Sequence, residues 1–297
     1  MPPRVGAFLA VVFWGISFVA TKAALAQISP VTLIVTRFTL GVGLLAVLLL
    51  VRGEPLRYPR DTWWPLVRMG FVGVTLHQLL QAYALRLTTA VHTGWLIGLI
   101  PIWSALFAAA FLRERFGAMK IAGLAVGFAG AVLVVTGGRV GAGVLALPST
   151  RGDFLILAST VNWALYTVLG HGTIRRLGAT RATAASMFAG WLLLLPIYFA
   201  RGGFREYGAL SATGWGAVLF LGLGCSGLGY LFWYGALERV EASRVAAFLY
   251  VEPLVTLAAA VVLLGEPVRA VTVAGGLLLL GGVALVQRAP RAPGSRV

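Results

Sequence analysis

Long apolar runs broken by short polar turns fill this chain from end to end. A run that can cross about 30 Å of hydrocarbon, roughly 20 residues at helical rise, is a candidate membrane helix. The pattern predicts ten: 5–24, 31–51, 63–86, 90–112, 119–137, 152–170, 182–200, 214–236, 243–264 and 270–287. Between them stand turn-forming residues: Ser29-Pro30, Gly53-Glu54-Pro55, Pro148-Ser149, Gly202-Gly203 and Gly265-Glu266-Pro267. Connections this short leave no room for a separate soluble domain. Long alternating strands, the mark of an outer-membrane barrel, are absent from the pattern. The expectation is an all-α integral membrane protein.

Composition agrees. Of 297 residues, 59% are hydrophobic and 11% charged, against about 25% charged in an ordinary soluble domain. That excludes a water-soluble fold and, equally, a disordered chain. The formal charge of +15 invites a nucleic-acid reading. The basic residues are spread between apolar runs instead of forming one patch, so membrane leaflets are the expected counter-surface and no nucleic acid is. One cysteine, Cys225, allows neither an intrachain disulfide nor a cysteine metal cluster.

With the amino terminus in the cytoplasm, cytoplasmic segments hold fifteen Lys and Arg and the opposite side holds seven. That bias predicts both termini inside. The first span resembles a cleavable signal, but Thr21 and Lys22 interrupt its end and Trp14-Gly15 is foreign to one, so it is read as retained.

The chain also repeats itself. Shifted by 152 residues, the stretch from Trp63 to Val134 aligns without a gap, pairing Trp63 with Trp215, Pro101 with Pro253 and Glu114 with Glu266. Two five-helix halves follow, 1–138 and 150–297. An odd number of spans per half makes the second copy enter from the other side, giving inverted repeats. This is a transporter architecture in which substrate is expected near the midplane, where the halves meet.

The residues carry a resemblance as well. Trp14-Gly15 and Phe18 in the first span, Arg37-Phe38 in the second, and in each half a Pro (Pro101, Pro253), a Glu (Glu114, Glu266) and a glycine-rich fifth helix resemble the EamA family of the drug/metabolite transporter superfamily. The paired aromatics and Tyr250-Val251-Glu252-Pro253 look most like its bacterial amino-acid exporters. One departure is that the Gly-Glu turn kept at Gly265-Glu266 reads Arg113-Glu114 in the first copy. The resemblance implies alternating-access transport in the plasma (bacterial inner) membrane.

Polar groups at membrane depth each need an explanation. His77, Gln78 and Gln81 lie near the middle of the third span, as a cavity-lining group or as a polar clasp between helices. Glu252, followed by Pro253, is the one acidic residue well inside a span. It is a candidate for binding a substrate amine or carrying a proton, or it is bonded to Arg37 or Asn162 for structure. Arg37 is expected to be structural, on backbone carbonyls or Glu252, with binding of a substrate carboxylate as the lesser alternative. Lys22 and Arg68 are close enough to span ends to snorkel, and Asp153 reads as an interfacial helix cap.

Trp63, Trp64 and Trp215 open their spans as an interfacial belt. Trp163 and Tyr166, with Asn162 before them, and Trp14, Ser17, Trp95 and Tyr250 are the expected wall of a cavity for small organic molecules. The same rings also suit cations over their faces. The stripe Gly123, Gly127, Gly130 and the pairs Gly275-Gly276 and Gly281-Gly282 are expected to bring helices close, within each half or across a dimer, so monomer and homodimer both stay open.

Rival functions are weaker. Gly224-Cys225-Ser226-Gly227 has the spacing of an intramembrane serine protease motif, but every histidine precedes Ser226 in the chain. No Gly-x-x-x-x-Gly-Lys-Ser/Thr loop is present for a nucleotide-driven pump, and no cofactor or metal is expected. The sequence reading is therefore a carrier, not an enzyme. It moves amino acids or similar small metabolites, downhill or coupled to protons through Glu252 and His77. The alternative cargo is hydrophobic cations or drug-like compounds. Phosphorylated cargo is disfavoured by the lack of a deep basic cluster beyond Arg37.

Overall fold

The computed structural model describes residues 2–103, 106–107, 117–139, 148–237 and 247–288. Among them every regular element is helical. Helix α1 (Pro3–Leu25) leads through a tight turn to α2 (Pro30–Val51). There Ser29 Oγ accepts the Thr32 N–H and Pro30 takes the first helical position, where a missing N–H costs nothing. Helix α3 runs over 60–85 in three parts: Arg60–Gly70, a π-helical turn Phe71–Leu76, and His77–Leu85. Thr89 caps α4 (Ala90–Trp103) by accepting the His92 N–H at 3.0 Å.

Helices α5 (Ala118–Thr136), α6 (Pro148–Leu177) and α7 (Ala179–Ala200) follow. Helix α8 (212–237) again has three parts, Ala212–Leu219, a π-helical Phe220–Gly229, and Tyr230–Leu237. A 3-10 turn, Ala247–Val251, opens into α9 (Glu252–Leu264), and α10 (Ala270–Arg288) ends the described chain. Gly137 and Gly265 stop α5 and α9 with φ of +59° and +63°, a conformation in which a Cβ would be strained.

Among the described residues, six helices are long and apolar enough to cross a membrane: α1, α2, α5, α7, α10 and residues Ala212–Trp233 of α8. The chain is a multi-pass membrane protein, inside out by the standard of a soluble one. Val51 and Val262 are 80% and 79% exposed, while Arg37, His77, Asp153, Asn162 and Glu252 are buried. Helices α3 and α6, which carry several of those buried polar groups, fall outside the six. Apolar side chains on the outside cost nothing in lipid, and polar ones must find protein.

The helices pack in exchanged pairs. Helix α1 lies on α8 and α9, and α6 lies on α3 and α4; α2 meets α8, and α7 meets α3. The pairs α2–α7, α4–α9 and α5–α10 complete the arrangement. The closest is α5–α10. A Cβ on Gly123 would stand 2.8 Å from the Gly282 carbonyl oxygen, so the backbones touch where both chains are bare. This is the packing that replaces hydrophobic drive inside a bilayer.

Several expectations change. The glycine stripes meet across the two halves, not within each one: they face each other, α5 against α10. Pro148-Ser149 starts α6 instead of forming a loop. Asp153 caps nothing: it is fully buried in the second turn of α6. It accepts Thr88 Oγ1–H at 2.5 Å and lies 2.9 Å from His92 Nδ1. Lys22 does not snorkel; its ammonium donates to Glu266 at 2.7 Å and to the Thr88 carbonyl at 3.0 Å. Glu266 also takes the Ala90 and Val91 N–H groups at 3.0 Å each, closing the start of α4 with a negative charge. Glu114, its counterpart in the first copy, lies outside the described residues.

Candidate functional site

A π-helical turn replaces the i to i−4 ladder with wider-spaced bonds, and side chains from other helices bond carbonyls within both turns. Asn162 on α6 donates Nδ2–H to the Val72 carbonyl of α3 at 2.6 Å. Trp14 on α1 donates Nε1–H to the Cys225 carbonyl of α8 at 3.3 Å. The glycines of the turns admit rings: Tyr166 lies against Gly73, and Trp14 against Gly229.

Two aromatic groups result. In the first, His77 sits 4.8 Å from Trp163 and Trp163 lies 5.1 Å from Tyr166, ring centre to ring centre. His77 Nδ1 is 3.2 Å from the Ser159 carbonyl of α6, which sets that nitrogen as the donor. In the second, Trp14 packs on Tyr230 at 5.5 Å and on Trp233 at 5.2 Å. Ser17 turns its hydroxyl back to the Trp14 carbonyl at 2.6 Å.

Arg37 bridges the groups. Its Nε–H donates to Ser226 Oγ on α8 at 3.2 Å, and its Nη1–H to Gln78 Oε1, beside His77, at 3.2 Å. Neither expected partner of Arg37, a backbone carbonyl or Glu252, is the one it has. Glu252 is buried in the first turn of α9, with Pro253 behind it and the 3-10 turn before it. Its carbonyl accepts Thr256 Oγ1–H at 3.0 Å. Thr256 reaches on to the Gly15 carbonyl of α1 at 2.9 Å. Asn162, the other partner expected for Glu252, is spent on Val72.

Helix α4 breaks at the matching depth. Ladder bonds after Ile97 shorten to Gly98 N–H on Trp95 O and Leu99 N–H on Leu96 O, just before Pro101. Interrupted helices whose ends meet inside a bundle are where membrane carriers place binding groups.

Among the expected wall residues, His77, Gln78, Asn162, Trp163 and Tyr166 gather on the α3–α6 side, with Trp14, Ser17 and Glu252 around α1 and α9. Gln81 is half-buried on α3 and makes no hydrogen bond among the described residues. Trp95 belongs elsewhere. It is 1% exposed, its ring lies flat on Gly276 of α10, and its Nε1–H has no partner among the described residues. The side chain of Tyr250 lies outside the described residues. Trp63 and Trp64 are exposed as a belt requires, and Trp215 stacks on Tyr207 at 5.8 Å.

Ser226, the nucleophile of the protease alternative, faces the Arg37 guanidinium, which has no lone pair to take its proton. No hydrogen bond joins His77 to Ser226 among the described residues. Sequence reasoning missed Tyr230 and Ser226 as partners in the site. The only signal was their place in the glycine-rich stretch of α8, Ser226 within it and Tyr230 just after it.

An all-helical membrane bundle with a buried polar and aromatic centre between exchanged helix pairs defines a membrane transporter class. The EamA-like transporter family model matches residues 4–136 and again 150–288, and the chain belongs to that family. An uncharacterized transporter of Archaeoglobus fulgidus is 33% identical over 94% of this chain and 96% of its own. A probable terminal-alkyne amino-acid exporter of Streptantibioticus cattleyicolor is 30% identical, with 94% of this chain and 91% of its own aligned. A solved crystal structure superposes with a TM-score of 0.69 at 23% identity, covering 96% of this chain and 98% of that one.

Proposed function

We propose that the protein is a secondary transporter that exports amino acids or similar small metabolites by alternating access. Its architecture in this reading is ten membrane helices in two inverted repeats, 1–138 and 150–297. The exchanged packing supports the repeats. Swapping each helix for its counterpart 152 residues on turns α1–α8 into α6–α3 and α2–α8 into α7–α3, and leaves α5–α10 unchanged. The π turns at 71–76 and 220–229 fall at matching places under the same shift. The orientation proposed is both termini cytoplasmic, in the bacterial inner membrane, as a monomer or a homodimer.

The observation that carries the function is the buried centre itself, aromatic rings from both halves around the bridging Arg37 and near the Glu252 helix start. Rings suit an apolar side chain, and a basic and an acidic group suit the two ends of a zwitterion. The name of the Streptantibioticus cattleyicolor relative adds weight to an amino-acid cargo. Glu252 is the proposed proton carrier if transport is coupled.

The test is efflux from liposomes holding the purified protein and loaded with the twenty amino acids, read by mass spectrometry. Selective, protein-dependent loss of a subset is expected, and His77→Ala or Trp163→Ala lowers it without lowering the amount of folded protein. No loss above protein-free vesicles refutes the amino-acid reading in favour of hydrophobic cations, for which the Trp14–Tyr230–Trp233 group and Glu252 argue.

A further inference from the structure

The Arg37 guanidinium is buried, 8% exposed, in the middle of α2. It has five N–H donors in a fixed fork. Two are used, one on the Ser226 hydroxyl and one on the Gln78 amide oxygen, both neutral acceptors. No carboxylate lies within 4 Å of it among the described residues. Phe38, whose ring centre is 5.4 Å from the guanidinium carbon, offers a ring face and no anion.

A buried charge held this way is costly. Buried cations are normally paired, and an ionisable group at membrane depth marks the place where a counter-charge arrives. The other buried acids are spoken for or turned elsewhere. Asp153 is taken by Thr88 and His92, and Glu266 by Lys22 and two backbone N–H groups. Glu252 does not bond Arg37.

Meanwhile Ser226 and Gln78, from α8 and α3, fix the direction of the fork from opposite sides. Its Nη2 group carries no hydrogen bond and is absent from the sealed polar atoms that lack one. Both Nη2 N–H groups and the second Nη1 N–H are left unused among the described residues, and a guanidinium with donors to spare takes a carboxylate.

We propose that Arg37 is the carboxylate anchor of the carrier, so that the cargo must bear a carboxylate and Gln78 and Ser226 aim the guanidinium at it. This rests on the amino-acid reading above and sharpens it: an α-carboxylate is required, and amines or amides of the same side chain are rejected. The cost of a buried unpaired guanidinium is then offset only when cargo is bound. Loss of a charge-assisted pair corresponds to about tenfold to hundredfold in affinity.

The experiment uses proteoliposomes of the full-length protein, loaded with the twenty amino acids together with phenylalanine amide and leucine amide. The wild type is expected to release phenylalanine or leucine at least tenfold faster than its amide. Arg37→Gln is expected to abolish that preference.

Because Arg37→Gln removes two internal bonds and risks misfolding, Gln78→Glu provides the second arm. It sets a permanent carboxylate against Nη1 and satisfies the charge from within. It should fold and should lose the carboxylate cargo about tenfold while sparing the amide.

An unchanged acid-to-amide ratio in folded Arg37→Gln overturns the proposal, as does an equal fall of both fluxes in Gln78→Glu. A wild type that moves amino acids and their amides alike overturns this proposal alone. A wild type that moves no amino acid overturns the function reading and takes this one with it.

Discussion

Glu266 is a single side chain that joins three segments, and its removal gives a magnitude that can be worked from distances. The carboxylate accepts Lys22 Nζ at 2.7 Å and the Ala90 and Val91 N–H groups at 3.0 Å, at 9% exposure. In Glu266→Gln one oxygen survives and an NH2 group turns toward a backbone donor, so at least one charge-assisted bond is lost outright. Such a bond contributes about 1.5–3 kcal/mol net. The lost charge at the start of α4 adds about 0.5–1 kcal/mol. Lys22, whose side chain is 32% exposed, regains water in the mutant, which trims the loss.

The expected destabilisation is about 2–4 kcal/mol, measured by reversible unfolding in mixed micelles against the wild type. Adding Lys22→Met closes a double-mutant cycle with an expected coupling of about 1–2 kcal/mol. A Glu266→Gln protein within about 0.5 kcal/mol of wild type refutes the clamp. Zero coupling with a full single-mutant loss would assign the whole effect to the two N–H groups.

Other expectations follow from the same contacts. Gly282→Val should lower stability by about 1–3 kcal/mol through overpacking, because its Cβ would enter the Gly123 and Gly127 backbone. Gly281→Val, next to it, has open space and should leave the melting temperature unchanged. Asp61 accepts hydrogen bonds from Arg176 across the far end of the bundle, which holds its carboxyl below the usual carboxylate range. A lowered folded-state value stabilises above the unfolded value and is lost as pH falls through the lowered one. The stability gap between wild type and Asp61→Asn, read by thermal melts, should therefore be present at neutral pH and shrink on acidification.

Much of the scaffold was legible because its signals are local. Ser29-Pro30 and Gly265 stop and start helices by their own chemistry, and Trp63 and Trp64 announce an interface with their rings. What escaped depends on partners far along the chain. Each π turn carries a bond from another helix, Asn162 on the Val72 carbonyl and Trp14 on the Cys225 carbonyl, and glycines at 73 and 229 are a faint sign of those partners. Asp153 looks like a cap at a span end until Thr88, from the turn before α4, and His92, from the first turn of α4, arrive. Arg37 was visible as a buried charge; Gln78 and Ser226, 41 and 189 residues away in the chain, were not visible as its partners. Trp95 was misjudged because a deep tryptophan gives no hint of which neighbour lacks a side chain, and here it is Gly276.

The seam between α5 and α10 bears on how the protein is made. Gly123, Gly127 and Gly130 emerge from the ribosome about 150 residues before Gly275 and Gly282, the backbone they fit. Until α10 is inserted, that bare stripe of α5 faces lipid or whichever helix passes. The first half is thus committed to the membrane early but finished late, by α10. A polypeptide stopped before residue 270 lacks the backbone that Gly123, Gly127 and Gly130 fit, so the seam is the last part of the bundle to close.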